Sequence, residues 1–571
     1  MFLDNNSLRI KIISGLVVLA SLLFVTRLYF VQIVNGSKYQ EAAQAQYVQT
    51  DNNLYERGSI SLTAKDGTSR VAALQESGYI LAVNAELLSN PESVYDMLST
   101  VVEIDKQEFM NNVVNVDDSY VVIKSKIPLI DAISIQELKI RGVGVYPEKW
   151  RRYPYGSLAA HVIGYAGFAS TGDERVGTYG IEKEYDDILD RGSQGFSLSF
   201  SQVFSGIGSA LIGNRISRDG SLVLTIEPDV QSYLELQLTE LVEDWDAPQA
   251  MGIIMDPHTG AIQAMAISPT FDPNRYNEEE KVSVFTNSVV QSRYEMGSII
   301  KALTMAAGLD AGVVSPDTEY TDEGSITLNN ATIFNYDGVA RGRVKMQEVL
   351  NQSLNTGASY IALQLGHEKM RNYFYKFGLG EKTDINLPGE IPGAVSNLEV
   401  DRDLAYATAS FGQGIALTPI ATIRALAVLA NGGRLIQPHV VSSIDWQLGG
   451  TSNVVPSNDS RVLKKQTSDE ISRMLVKVTD TALAGGTHSR ERHSIAAKTG
   501  TAQIAQPGGG YYDDVFNHTF FGYFPAYDPE FIIFLMVREP KGVRYASQTL
   551  TDPFFKMVDF LINYYNIAPD R

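Results

Sequence analysis

The chain has 571 residues, 44% hydrophobic and 20% charged, with seven histidines, no cysteine and a net charge of −19. The acidic balance argues against nucleic acid as a partner, because phosphate contacts need a basic face. The lack of cysteine excludes a disulfide framework, thiolate metal sites and cysteine nucleophiles. With the histidines scattered and no His-Glu-x-x-His pattern, neither a metal nor a cofactor is expected.

At the amino terminus, residues 1–11 form a short tail carrying Arg9 and Lys11, and residues 12–34 form an almost unbroken apolar run. Twenty-three residues are long enough to cross a bilayer. Arg27 falls toward the outer part of that span, where its stem can snorkel to the headgroups. A cleaved signal peptide ending near AQA at 43–45 and a buried core helix are the competing readings. The basic residues before the span put the amino terminus in the cytoplasm and the bulk of the chain outside the membrane.

Residues 35–57 are polar and are expected to form a juxtamembrane helix running into a linker. Residues 58–150 mix short apolar runs with helical stretches such as NPESVYDMLSTVVEI and DAISIQELKI, an α+β pattern without a catalytic cluster. The expected division is a non-catalytic pedestal over 35–219 and a larger domain over 220–571. SLVLTIEPDVQ (221–231) predicts a strand, then a helix capped near Glu227 and Pro228. MGIIMDPHTGAIQAMAI (251–267) predicts two strands about a turn at DPHTG, and HTFFGYFPA and EFIIFLMVRE predict the last two. The Gly-rich segment 504–517 between strands is expected to be a mobile lid beside the acceptor side of the cleft, with a plain disordered hairpin loop as the alternative.

Three short patterns carry chemistry: SIIK at 298–301, SLN at 353–355 and KTG at 498–500. Each alone is weak; Ser298 could be a helix cap and Lys301 a solvated charge. Together, and in this order, they are far more specific. SIIK opens an apolar helix, so Ser298 and Lys301 at i and i+3 share a face. SLN falls at a break between two helical runs. KTG lies in a strand, where Gly500 would let a substrate backbone approach.

With these motifs the chain resembles the class B penicillin-binding proteins, the monofunctional peptidoglycan D,D-transpeptidases. The resemblance runs from about residue 28 onward. It includes RGSI (57–60), RRYPYGSLAAHVIGY (151–165), GIEKEYDDIL (180–189), DPHTGAIQAM (256–265) and SFGQGIALTPIA (410–421). One departure is SLTAKDGTS after RGSI, where the family has an Asp-Arg-Asn-Gly-like turn. The resemblance implies an α/β penicillin-recognising fold: a five-stranded antiparallel sheet flanked by helices, a separate α+β pedestal of the dimerisation type, and a single membrane anchor. It implies that Ser298 is acylated by a stem peptide ending in D-Ala-D-Ala, or by a β-lactam. Lys301 would be the base, with Lys498 as a nearby cation. Ser353 would relay a proton to the leaving amine, and Asn355 would hold the donor or orient Lys301. Thr499 and Thr501 would bind the terminal carboxylate, beside Gly500, and the backbone N–H groups of Ser298 and Thr501 would form the oxyanion hole. No glycosyltransferase module is evident, so a polytopic membrane glycosyltransferase is the expected partner. A D,D-carboxypeptidase, a β-lactam sensor or β-lactamase-like protein, and an idle scaffold of a wall-building complex are the alternatives.

Overall fold

In the computed structural model, the described residues are 5–35, 56–114, 120–168, 175–191, 219–454 and 459–571. The expected juxtamembrane helix therefore falls almost wholly outside the described residues. The helix Asn5–Tyr29 continues as a wider π turn, Phe30–Val34. Its stretch Ile12–Val34 has a mean hydropathy of 2.1, and its side chains are unburied. At about 1.5 Å per residue it is long enough for a hydrocarbon core of about 30 Å.

The rest divides into two compact units. The smaller is built on Gln75–Arg151. Its helix Pro91–Leu98 starts where Asn90 accepts from the Ser93 N–H and proline occupies the first turn; Val94 and Leu98, one turn apart, are buried. The strand Tyr120–Ile127 pairs antiparallel with the later part of Ser69–Asn84. The helices Pro91–Leu98, Lys106–Val114 and Leu129–Glu137 supply Leu98, Phe109 and Ile135 to a core completed by Leu81, Val83 and Ile127 of the strands. This is the α+β arrangement that the alternating apolar runs predict.

The larger unit contains Arg57–Leu74, Arg152–Arg191 and the chain from 219 onward. Two of the family-like segments meet here. Arg57 of RGSI donates to Glu182 of GIEKEYDDIL at 2.5 Å and pairs with Asp186 at 2.7 Å. Arg57 and Glu182 are both buried, so the pair holds because each charge meets its opposite.

Five strands make the central antiparallel sheet, in the order Ala496–Ala505, Tyr511–Phe524, Phe531–Arg538, Gln249–Met255 and Ile262–Ser268. Phe531–Arg538 is central and buried on both faces along nearly its whole length, hence its continuous apolar run. Alternation sorts the rest. Ile254, Phe520, Ile533 and Leu535 face a layer formed by the helices Pro228–Asp244 and Thr551–Tyr565. Ile253, Phe521, Ile532 and Phe534 face the other core, which includes Ile299, Ile300 and Leu303.

The helix Pro228–Asp244 begins as its sequence predicts, with Glu227 accepting from the Val230 N–H at 2.7 Å. Its buried Val230, Leu234 and Leu238 recur every four residues. Burying each contributes roughly 1.5–3 kcal/mol. On the opposite side of the sheet, every residue of Pro419–Ala430 is buried, which makes it a central core helix rather than an amphipathic one.

Candidate active site

The SIIK segment is a short 3₁₀ turn, Gly297–Ile299, leading directly into the helix Ile300–Asp310. Gly297 has φ +62°, a conformation that costs a residue with a side chain. Its N–H donates to the Gly412 carbonyl at 3.4 Å, which brings the SFGQG segment against the turn. Ser298 is half-buried and lines a cavity of about 990 Å³. Lys301, one turn on, is 1% exposed.

The SLN segment is the break between the helices Met346–Asn351 and Asn355–Lys376. Ser353 has φ +53°, sparsely populated for a residue with a side chain. Lys301 Nζ donates to the Ser353 carbonyl at 2.6 Å and to its Oγ at 3.2 Å. Lys498 Nζ donates to the same Oγ at 3.0 Å and to the Thr499 carbonyl at 2.9 Å. One hydroxyl thus joins two buried amines. No hydrogen bond joins Lys301 to Ser298 in this conformation; the partner of Lys301 is Ser353.

Burial drives the Lys301 amine well below its ordinary value, and repulsion from Lys498 lowers it further. Burial brings Lys498 down to about 7. Asn355 lines the cavity, but its amide donates to the Phe334 carbonyl at 2.8 Å rather than orienting Lys301. Thr499 and Thr501 line the cavity from the edge strand Ala496–Ala505, where the Thr501 hydroxyl accepts from the Ala546 N–H at 3.0 Å.

Gly500 needs a different explanation from the expected one. Its open side faces the turn carrying Ser298, not the cleft. A Cβ there would stand 2.7 Å from the Met296 carbonyl, 3.1 Å from the Ile299 nitrogen and against the Thr519 hydroxyl. Glycine at 500 therefore sets how closely the Gly297–Ile299 turn approaches the strand. Gly500→Ala should lose about 1–3 kcal/mol through overpacking, and acylation should slow because the turn is pushed out. Thermal unfolding and acylation rates check both effects; unchanged values would remove this role.

The segment 504–517 is mostly strand. Ala505 pairs with Tyr511, and only Gln506–Gly510 lie outside the two strands. The segment is a paired hairpin rather than a disordered loop, and Tyr511 donates to Glu295 at 3.1 Å.

Sequence reasoning missed Tyr336, Arg544 and Tyr545, which also line the cavity. The rings of Tyr336 and Tyr545 meet edge to face at 5.8 Å. No local pattern marks them, because they come together across two hundred residues of chain. The charged side chains lining the cavity are Lys498 and Arg544, so the cavity favours an anionic ligand.

Residues 250–558 match the penicillin binding protein transpeptidase domain, and residues 56–202 match the penicillin-binding protein dimerisation domain. The chain is 28% identical over 564 residues to stage V sporulation protein D of Bacillus subtilis, covering 97% of this chain and 85% of that one. It is 26% identical over 587 residues to the peptidoglycan D,D-transpeptidase FtsI of Buchnera aphidicola, covering 99% and 96%. Its fold is shared with penicillin binding protein 3 from Mycobacterium tuberculosis, solved with aztreonam, at a TM-score of 0.68 and 24% identity over 90% of this chain and 97% of that chain. The chain belongs to the penicillin-binding protein transpeptidase family, with a dimerisation domain ahead of the transpeptidase domain.

Proposed function

We propose that this chain is a serine D,D-transpeptidase that cross-links peptidoglycan stem peptides and is acylated by β-lactams. The observation that carries the reading is the hydroxyl of Ser353 held between the amines of Lys301 and Lys498, in the cavity that Ser298 lines. The relative named peptidoglycan D,D-transpeptidase and the structural neighbour bound to aztreonam support the substrate and inhibitor class.

Ser298 Oγ attacks the carbonyl between the two D-Ala residues, and its proton passes to neutral Lys301. The C–N bond breaks, and the leaving D-Ala amine takes a proton through Ser353. The ester on Ser298 is then attacked by an amine of a second stem; a new amide forms and Ser298 recovers its proton. Charged Lys498 favours the donor's terminal carboxylate and keeps Lys301 neutral, while Thr499 and Thr501 hydrogen-bond that carboxylate. Asn355 holds the donor peptide.

Residues 35–219 act as the non-catalytic segment, of which Arg57–Leu74 and Arg152–Arg191 belong to the larger compact unit, and 220–571 as the transpeptidase domain. The chain is anchored by 12–34 as a single span in the bacterial cytoplasmic membrane, amino terminus inside, beside a polytopic membrane glycosyltransferase. Fluorescent penicillin followed by digestion and mass spectrometry tests the reading. The adduct should map to Ser298 and vanish in Ser298→Ala. An adduct on Ser353, or labelling that survives Ser298→Ala, rejects the serine assignment.

A further inference from the structure

The carboxylate of Asp322 takes no part in the chemistry above, yet it is 1% exposed. It accepts from the Thr356 hydroxyl at 2.7 Å, from the Asn335 amide at 2.9 and 3.1 Å, from the Gly324 N–H at 3.2 Å and from the Arg341 N–H at 2.9 Å. All these donors are neutral. A buried carboxylate held this way is stable only while every bond is kept. Burial by itself would raise its pKa, but the bonds from Thr356 and Asn335 hold it below the ordinary carboxylate value.

What the donors have in common is their place along the chain. Thr356 follows Asn355 directly, and Asn335 accepts from the Thr356 N–H at 3.2 Å. The residue before Asn335 is Phe334, whose carbonyl receives the Asn355 side chain. Arg341 extends its guanidinium to Gln352, the residue before Ser353, at 3.0 Å. The bonds therefore close on both flanks of Ser353-Leu354-Asn355.

Two features of this turn call for such a support. Ser353 has φ +53°, and a sparsely populated backbone of this kind persists only when its surroundings fix it. The helix Asn355–Lys376 starts after Leu354, which offers no capping side chain. Asn335 supplies the missing acceptor from another segment, and the Asp322 charge lies beside the positive end of the helix.

We infer that Asp322 is a positioning residue for the Ser353–Asn355 turn, holding the Ser353 hydroxyl where both lysines reach it. This rests on the serine transpeptidase reading above. It acts through Thr356, Asn335 and Arg341 and touches neither substrate nor the reacting atoms.

The test is acylation of the full-length protein by fluorescent penicillin across a range of pH, on folded protein quantified by thermal melting. Asp322→Asn keeps the size but turns a second donor toward its neighbours. It should lower the saturating acylation rate roughly 10²-fold, the cost of a small misplacement. Thr356→Val should lose a comparable factor, and Thr356→Ser, which keeps the hydroxyl, should recover it. The Asp322→Asn/Thr356→Val double variant should be little worse than the poorer single one, because both remove the same support. The low-pH limb of the profile should also move, since Ser353 is the partner of Lys301; a merely structural defect would leave it in place.

Variants that acylate near the parent rate with an unmoved profile would overturn the inference, as would a loss accounted for by unfolded protein alone. If Asp322→Asn does not fold, the contrast between Thr356→Val and Thr356→Ser decides. Ser298→Ala separates the two levels. If it still acylates, the serine reading fails. If it is dead while the Asp322 and Thr356 variants behave as parent, only the positioning role fails.

Discussion

Lys301→Ala is expected to lower acylation by penicillin by roughly 10²–10⁴-fold, the usual worth of a general base. Lys301→Arg should fail almost as badly, because a guanidinium stays charged near neutral pH. The structure gives this its physical basis. A solvated lysine would be protonated and useless as a base, but Lys301 is 1% exposed and faces Lys498. Both effects favour the neutral amine. The side chain also reaches Ser353, so its loss would break the proposed relay to the leaving group. The measurement is the second-order acylation rate, with circular dichroism to confirm folding. A Lys301→Arg protein acylating near the parent rate would rule Lys301 out as base.

Lys498 should show the second-largest effect and a different pattern. Its proposed role is electrostatic, so Lys498→Arg should retain more activity than Lys498→Met. The sign of the pH dependence follows from the two shifts. Lys301 must be neutral, so acylation rises as pH climbs through its depressed value. Lys498 must be charged, so acylation falls as pH climbs through about 7. The profile is bell-shaped, with apparent values that belong to the pair. Lys498→Arg should lose the falling limb, because its charge persists. A parent profile flat across pH 7, or a falling limb that survives in Lys498→Arg, would contradict the assignment.

Stability should move the opposite way. The folded value of Lys498 is about 7 and the ordinary one 10.5. Between them the unfolded chain binds more protons, so the parent gains stability as pH rises through that window. At lower pH the buried charge costs its full amount. Lys498→Met should therefore melt above the parent at pH 6, with the gap narrowing toward pH 10. A residue that destabilises the fold while sustaining activity is what a functional charge in a core looks like.

Much of this protein is legible in its sequence because much of it is local. The start of Pro228–Asp244 at Glu227, the hairpin about DPHTG and the apolar central strand Phe531–Arg538 follow from capping, turn chemistry and hydrophobic runs within a few residues. The same holds for SIIK at the head of a helix, SLN at a helix break and KTG on a strand. Other properties depend on residues far apart in the chain, and only the tertiary structure decided them. The lowered pKa of Lys301 comes from burial and from an amine 197 positions away. Gly500 admits the backbone of Met296–Ile299, a contact that no strand pattern encodes. Asp322 reads as an ordinary polar residue until folding sets it against Asn335, Arg341 and Thr356. Periodicity records which face of an element is apolar. The pKa of a buried group, the closest approach of two backbones and the support of a strained turn are set by whatever the fold brings within a few ångströms.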